Sequence, residues 1–144
     1  MQTADAAGVQ PAVTGHSFQV ESYNSCLQCH PYPELLANFV QGSVSVQLQQ
    51  LKSELDLWAT TKAPAALRQK YGALAWEYTT AGDFSPGAAG PNSTEQAQIP
   101  DNIKKARFNL YLVLNDGSYG VHNGPFISEL LDSADEWVQT ELNQ

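Results

Sequence analysis

Residues 44–58 read VSVQLQQLKSELDLW and carry the periodicity from which the fold class follows. Large apolar side chains recur there at steps of four and three residues, the spacing that aligns them along one face of an α-helix. They are Val44, Leu48, Leu51, Leu55 and Trp58. The pattern predicts a long helix from about Ser43 with one buried stripe.

Three further helices are predicted downstream by the same spacing. Their apolar positions are Leu67, Tyr71, Leu74 and Tyr78, then Ile103, Ala106, Leu110 and Val113, then Ile127, Leu130, Leu131, Ala134 and Trp137. Pro64 suits a helix start, Asp101 is a good N-cap, and Asn115-Asp116-Gly117 is a strong helix stop. Residues 82–100 are rich in Gly, Pro and Ser and predict a mobile surface loop. We therefore expect an all-α fold of about four helices, including a long helical hairpin.

Both cysteines of the chain lie upstream of these helices, in Ser25-Cys26-Leu27-Gln28-Cys29-His30. C-x-x-C-H is the attachment signature of a c-type heme. Cys26 and Cys29 would bond to the two vinyl groups of the porphyrin, and His30 would be the proximal ligand of the iron. The motif predicts one covalently bound heme c. We accordingly divide the chain into an extended or flexible arm, residues 1–24, and a heme-binding helical domain, residues 25–144.

Three other interpretations of the two cysteines stay open. A thioredoxin-like dithiol also uses C-x-x-C, although that fold needs strands and the sequence offers no strong one. A zinc site could add His16 and His122, with irregular spacing. The pair could also be a chance match of two redox-inert thiols.

The sixth position of a heme iron is usually filled by Met or His. Met1 is the only methionine and stands at the chain end, which argues against His/Met ligation. His122, in a glycine-flanked loop, is the preferred distal candidate. His16 is the alternative, either for this heme or for that of a neighbouring molecule, and either histidine could also be an ordinary exposed side chain.

The acidic composition limits the partners. Asp and Glu number 15 against 7 Lys and Arg, for a formal charge of −8, which disfavours nucleic acid. We expect redox proteins or other cytochromes as partners, a possible homo-oligomer, and no membrane span, because no apolar run is long enough. No signal peptide is visible, but bacterial heme attachment takes place outside the cytoplasm, so we expect a periplasmic or extracellular location.

Several stretches resemble the C-terminal part of multiheme c-type cytochromes of the pentaheme nitrite reductase type. They are the motif at 26–30, the long helix through 48–58, Ile103-Lys104-Lys105-Ala106-Arg107-Phe108-Asn109-Leu110, and Gly120-Val121-His122-Asn123. The resemblance implies long helices beside hemes that also form a dimer contact, and it implies distal-ligand roles for His122 and, more loosely, His16. The motifs for the other hemes, the catalytic lysine and the substrate and calcium residues have no counterpart here, so nitrite reduction is not implied.

Electron transfer by a bis-His, low-spin monoheme cytochrome is the function expected from these features, with no catalytic residue assigned. Burial by Trp58, Tyr71, Trp76 and Phe108 would lower the local dielectric of the heme, and these aromatics are expected to be plain core rather than special electron conduits. Two alternatives stay open. One is a module in which a histidine completes a neighbour's heme, and the other is an open-site heme enzyme or gas sensor.

Overall fold

The computed structural model describes residues 22–144, and this part of the chain folds into four α-helices. They are α1 (Pro33–Thr61), α2 (Ala65–Tyr71), α3 (Asp101–Asp116) and α4 (Gly124–Leu142). No strand forms within residues 22–144; the one β-type pairing there is an isolated bridge between Thr80 and Ala89. The all-α prediction is confirmed. No helix in this range is long and apolar enough to cross a membrane. The arm predicted for residues 1–24 lies outside the described residues except for its last three.

Helix α1 begins at Pro33, well before the Ser43 start predicted from the apolar stripe. Proline is favoured in the first turn of a helix, because its missing N–H would have no partner there and its fixed φ is already helical. Pro33 therefore starts the helix rather than delaying it. The predicted stripe is confirmed, since all five of its residues are buried.

Helix α2 is shorter than predicted. Its C-cap is Gly72, whose φ of 55° leaves the helical region. A short 3-10 helix, Gly72–Trp76, follows. Leu74 and Tyr78 therefore do not extend the stripe of α2, because glycine at this position lets the chain turn.

Helices α3 and α4 form the predicted hairpin. Gly117 ends α3 in the left-handed conformation, with φ 74°. Asn102, near the start of α3, donates from Nδ2 to Glu141 Oε1 near the end of α4 at 2.8 Å. Asn109 Nδ2 donates to the carbonyl of Leu130 at 2.9 Å. The two helices are thus antiparallel. Asp101, predicted as the N-cap, is the first helical residue instead.

The hydrophobic core lies where α1, the hairpin and the Gly72–Trp76 segment meet. Its fully buried large side chains include Leu48, Leu55, Trp58, Leu67, Trp76, Ile103, Leu110 and Val138. The segment 82–100 also contributes, because Gly90, Pro91 and Ile99 are buried. This segment is therefore packed against the body at its C-terminal end rather than lying wholly on the surface.

Candidate heme-attachment site

The C-x-x-C-H motif forms one compact turn directly before α1. A 3-10 helix, Asn24–Cys26, opens it, and the Cys26 N–H donates to the Tyr23 carbonyl at 2.9 Å. The Cys26 carbonyl then accepts from the backbone N–H groups of Cys29 at 3.1 Å and His30 at 2.9 Å. These bonds hold the two cysteines and the histidine on a single turn of backbone.

Both thiols of this turn are free and accessible. Cys26 is half-buried and Cys29 is exposed, and His30 is exposed. Thioether formation needs thiols that a porphyrin can reach, and an axial ligand needs an imidazole that is not enclosed by protein. The accessibility of the three side chains meets both needs.

An apolar cavity of about 210 Å³ lies beside the turn. Cys26 and His30 share its lining with Tyr23, Pro33, Leu36, Ala37, Val40 and Val121. It is smaller than the roughly 300–1,000 Å³ of a typical small-molecule pocket. A porphyrin held here would therefore extend past the cavity over the neighbouring surface.

That neighbouring surface is unusually apolar. Leu35 is 68% exposed, Leu36 50% and Phe39 76%, all in the first two turns of α1. Leu27 and Tyr32 line part of a second, open groove of about 660 Å³ beside the turn. Exposed apolar side chains gathered around one point mark a surface that a ligand or partner covers. Accessible thiols, an imidazole and apolar walls together fit a heme group.

His122 lies close to this region but in a different cavity. It is exposed, in the turn between α3 and α4. The cavity that it lines, of about 270 Å³, is formed mainly by Leu112, Phe126, Ile127 and Leu130. It is its neighbour, Val121, that lines the cavity with Cys26 and His30. The structure therefore places His122, the predicted distal candidate, at the same end of the molecule as the motif. It does not place His122 in the cavity that contains His30.

The loop that carries His122 is seated on α1. Gln41 Nε2 donates to the Ser118 carbonyl at 3.4 Å. At Gly120, with φ +87°, an added Cβ would lie 3.2 Å from Val44 and 3.3 Å from Val40. This close approach needs glycine, and it fixes the loop within two helical turns of the motif cavity.

His16, the other predicted ligand, lies outside the described residues. Within residues 22–144, no group of three or more His, Cys, Asp or Glu side chains is placed to hold a metal ion. Cys26, Cys29 and His122 therefore do not form such a group. The described part of the chain adds no ligand to the two cysteines of the zinc interpretation, which also included His16.

The aromatic residues expected around the heme lie elsewhere. Trp58 and Trp76 are 2% and 0% exposed in the main core, Tyr71 packs against that core, and Phe108 is 58% exposed. None of the four lines the cavity that holds Cys26 and His30. Trp58 and Trp76 are therefore plain core residues, and none of the four aromatics contributes to the lining of the motif cavity.

Sequence reasoning missed Leu36, Val40 and Val121, the apolar side chains that line the motif cavity. A signal for the first two was present. Pro33, Leu36, Val40 and Val44 continue the helical spacing upstream of the stripe, and a helix start at Pro33 would have placed them on one face. Val121 carried no such signal, because it comes from a turn.

Comparisons with known proteins give no match. No protein-family model fits the chain, and neither curated proteins nor solved structures include a significant neighbour. The resemblance to multiheme cytochromes therefore stays a prediction.

Proposed function

We propose that this chain is a c-type cytochrome that carries one covalently bound heme and transfers electrons. The observation that carries the proposal is the joint position of Cys26 and His30 in an apolar cavity on one turn of backbone. A C-x-x-C-H sequence in an unrelated loop would have no reason to adjoin apolar walls. Here the walls come from α1 and from the α3–α4 turn.

Each residue of the site has a distinct role in this proposal. Cys26 and Cys29 hold the porphyrin covalently, and His30 ligates the iron. Leu36, Val40 and Val121, which line the cavity beside the turn, would exclude water from the group held there. The bound heme supplies an iron that alternates between two oxidation states. Apolar burial and the axial ligands then set the reduction potential.

For the distal position we propose His122, with His16 as the alternative. In the structure His122 and His30 line different cavities, and Val121, next to His122, lines the cavity that contains Cys26 and His30. Filling both axial positions leaves no open iron site, so we propose no catalytic residue. Redox proteins or other cytochromes are the proposed partners, in a periplasmic or extracellular setting.

A second function is favoured by one specific observation. His122 lines an apolar cavity of its own, at an exposed position. A histidine so placed could complete the heme of an adjoining molecule, which would make the chain a module in a string of hemes. Electrons would still be transferred, but between chains linked through iron.

The attachment is tested with the double variant Cys26→Ser, Cys29→Ser, expressed in cells that mature c-type cytochromes. We expect the purified variant to contain no covalent heme, since no thiol remains to form a thioether. Intact mass and extraction of heme into acidified organic solvent measure this. Gln28→Ala is the matched control, because Gln28 is exposed between the two cysteines and should leave attachment unchanged. Wild-type protein with the mass of the bare polypeptide would contradict the proposal.

A further inference from the structure

The open groove beside the attachment turn has a single charged residue in its walls. Its apolar side chains include Leu27 and Leu35, and its polar side chains are uncharged except for the carboxylate of Glu34. Glu34 lies in the first turn of α1 and is exposed. A group held in this groove would therefore meet one negative charge among apolar and neutral polar side chains.

This groove adjoins the cavity that contains Cys26 and His30. Tyr23 and Pro33 line both spaces, and Leu27, in the groove wall, stands between the two cysteines in sequence. The groove, at about 660 Å³, has the size of a small-molecule site, whereas the cavity alone, at about 210 Å³, is below that range. A porphyrin that is tethered at the motif and too large for the cavity therefore finds room in the adjoining groove.

No opposite charge in the surrounding sequence offsets Glu34. From residue 22 to residue 51 it is the only Asp, Glu, Lys or Arg, and none of the ion pairs formed among residues 22–144 includes it. Asp116, at the end of α3, lines the separate cavity of His122 instead. The carboxylate of Glu34 is therefore the one charge that these walls present to a group in the groove.

We propose that Glu34 lowers the reduction potential of the heme by favouring the oxidised iron. This inference rests on the function proposed above. One electron, exchanged with a redox protein, converts Fe(III) to Fe(II), and no bond forms or breaks. The oxidised iron carries one more positive charge, so a nearby carboxylate attracts it more strongly than the reduced iron.

The apolar part of the groove increases this effect. Leu27 and Leu35 take the place of water beside Glu34, and a charge is screened less where apolar side chains replace water. Burial and local electrostatics are among the means by which a protein sets a heme potential. A lower potential makes the reduced protein a stronger electron donor.

The test measures the midpoint reduction potential of the heme-loaded protein by spectroelectrochemical titration at low ionic strength, where exposed charges are least screened. Glu34→Gln removes the negative charge, and Glu34→Lys reverses it. Asn38→Asp adds a second carboxylate to the wall of the same groove, one helical turn further along α1. Glu136→Gln is the matched control, since it removes an exposed carboxylate from a part of α4 that lines neither space.

The expected shifts follow the charge. Glu34→Gln should raise the equilibrium constant for reduction by about two- to tenfold, where tenfold is about 59 mV for one electron. The change in potential should be about twice as large for Glu34→Lys and should have the opposite sign for Asn38→Asp. All three shifts should shrink near 1 M salt, where the Debye length is about 3 Å. A structural disturbance of the site would not be ordered by charge in this way.

Equal potentials in wild type and both Glu34 variants, or an equal shift in the Glu136→Gln control, would overturn the inference while covalent heme remains in place. Wild-type protein without covalent heme would overturn the proposed function, and this inference with it. Intact mass distinguishes the two failures. Asn38→Asp keeps the test decisive if a Glu34 variant does not fold, because an unchanged potential there would show that charge in the groove does not act on the iron.

Discussion

Glu77 is a carboxylate with no exposed surface, and its partners explain how it stays there. The Tyr111 hydroxyl donates to Glu77 Oε1 at 2.6 Å, and the Tyr78 N–H donates to Oε2 at 3.3 Å. Burial, together with that carboxylate, raises the pKa of Tyr111, so the hydroxyl keeps its proton. Nearby, Arg107 Nη1 donates to the carbonyls of Trp76 and Glu77 at 2.7 and 2.8 Å. Side chains of α3 thereby fasten the segment that follows α2.

Tyr111→Phe should lower the free energy of unfolding by about 1–3 kcal/mol, because a buried carboxylate oxygen loses its donor. Urea denaturation measures the change. Tyr32→Phe is the control, since Tyr32 is 70% exposed and water can replace its hydroxyl's partners. Equal stabilities for the two variants would show that the Tyr111–Glu77 bond contributes nothing net.

The contacts within this polar cluster could not be predicted from the sequence, whereas the C-x-x-C-H motif could be recognised in it. Cys26, Cys29 and His30 lie within five consecutive positions, and their spacing alone predicts a heme-attachment motif. Arg107 and Glu77 lie 30 positions apart, and neither follows a pattern that relates it to the other. Their proximity arises only once α3 packs against the 3-10 segment that ends at Trp76.

Helix α1 carries a glycine in its interior that its own packing does not require. Gly42 is exposed, and an added Cβ would meet nothing within 4 Å. Glycine inside a helix is destabilising relative to alanine by roughly 0.5–1 kcal/mol, because it loses more backbone freedom on folding. The buried stripe of α1, a helix of 29 residues, offsets this loss of stability.

Gly42→Ala should therefore raise the free energy of unfolding by about 0.5–1 kcal/mol. Chemical denaturation followed by circular dichroism is the measurement. Gly120→Ala is the opposing control and should destabilise, because its φ is +87° and the new Cβ would crowd Val44 at 3.2 Å. A destabilised Gly42→Ala protein would mean that the outer face of α1 is covered in solution.

Helices as elements were predictable, and their ends were less so. The apolar spacing identified the buried stripes predicted for α1 and α3, since that spacing follows directly from helix geometry. It extended the stripe of α2 past the end of that helix and missed Val138 of α4. The start of α1 depends on whether Pro33 opens the helix or precedes it, and the end of α2 depends on the φ of Gly72. A local signal for the start of α1 was present in the spacing of Pro33, Leu36 and Val40, whereas the end of α2 depends on a turn that no local pattern specified.

At the scale of the whole molecule, His30 and His122 lie at the same end and line separate cavities. His30 opens into the cavity with Cys26, and His122 into the one formed by Leu112 and Phe126. A heme bound at the motif would acquire its sixth ligand either from the same chain, through His122 or His16, or from a second molecule. The two routes differ in their dependence on protein concentration.

His122→Ala should convert the reduced protein from a low-spin to a high-spin visible spectrum that shifts when carbon monoxide is added. Asn123→Ala, next to it in the same turn and also exposed, is the control and should remain low-spin. In wild type, a low-spin spectrum that survives dilution assigns the ligand to the same chain, and one lost on dilution assigns it to a neighbour. An unchanged spectrum in His122→Ala would remove this histidine from the iron.

The main core begins at Val44, after both the motif and the first turns of α1. None of the buried residues of this core lines the cavity beside the attachment turn. Consequently, we expect the polypeptide to reach its native shape before it is matured, and the prosthetic group to be added to a finished scaffold. A cell that lacks the ligation machinery should still yield a folded, colourless form of the protein.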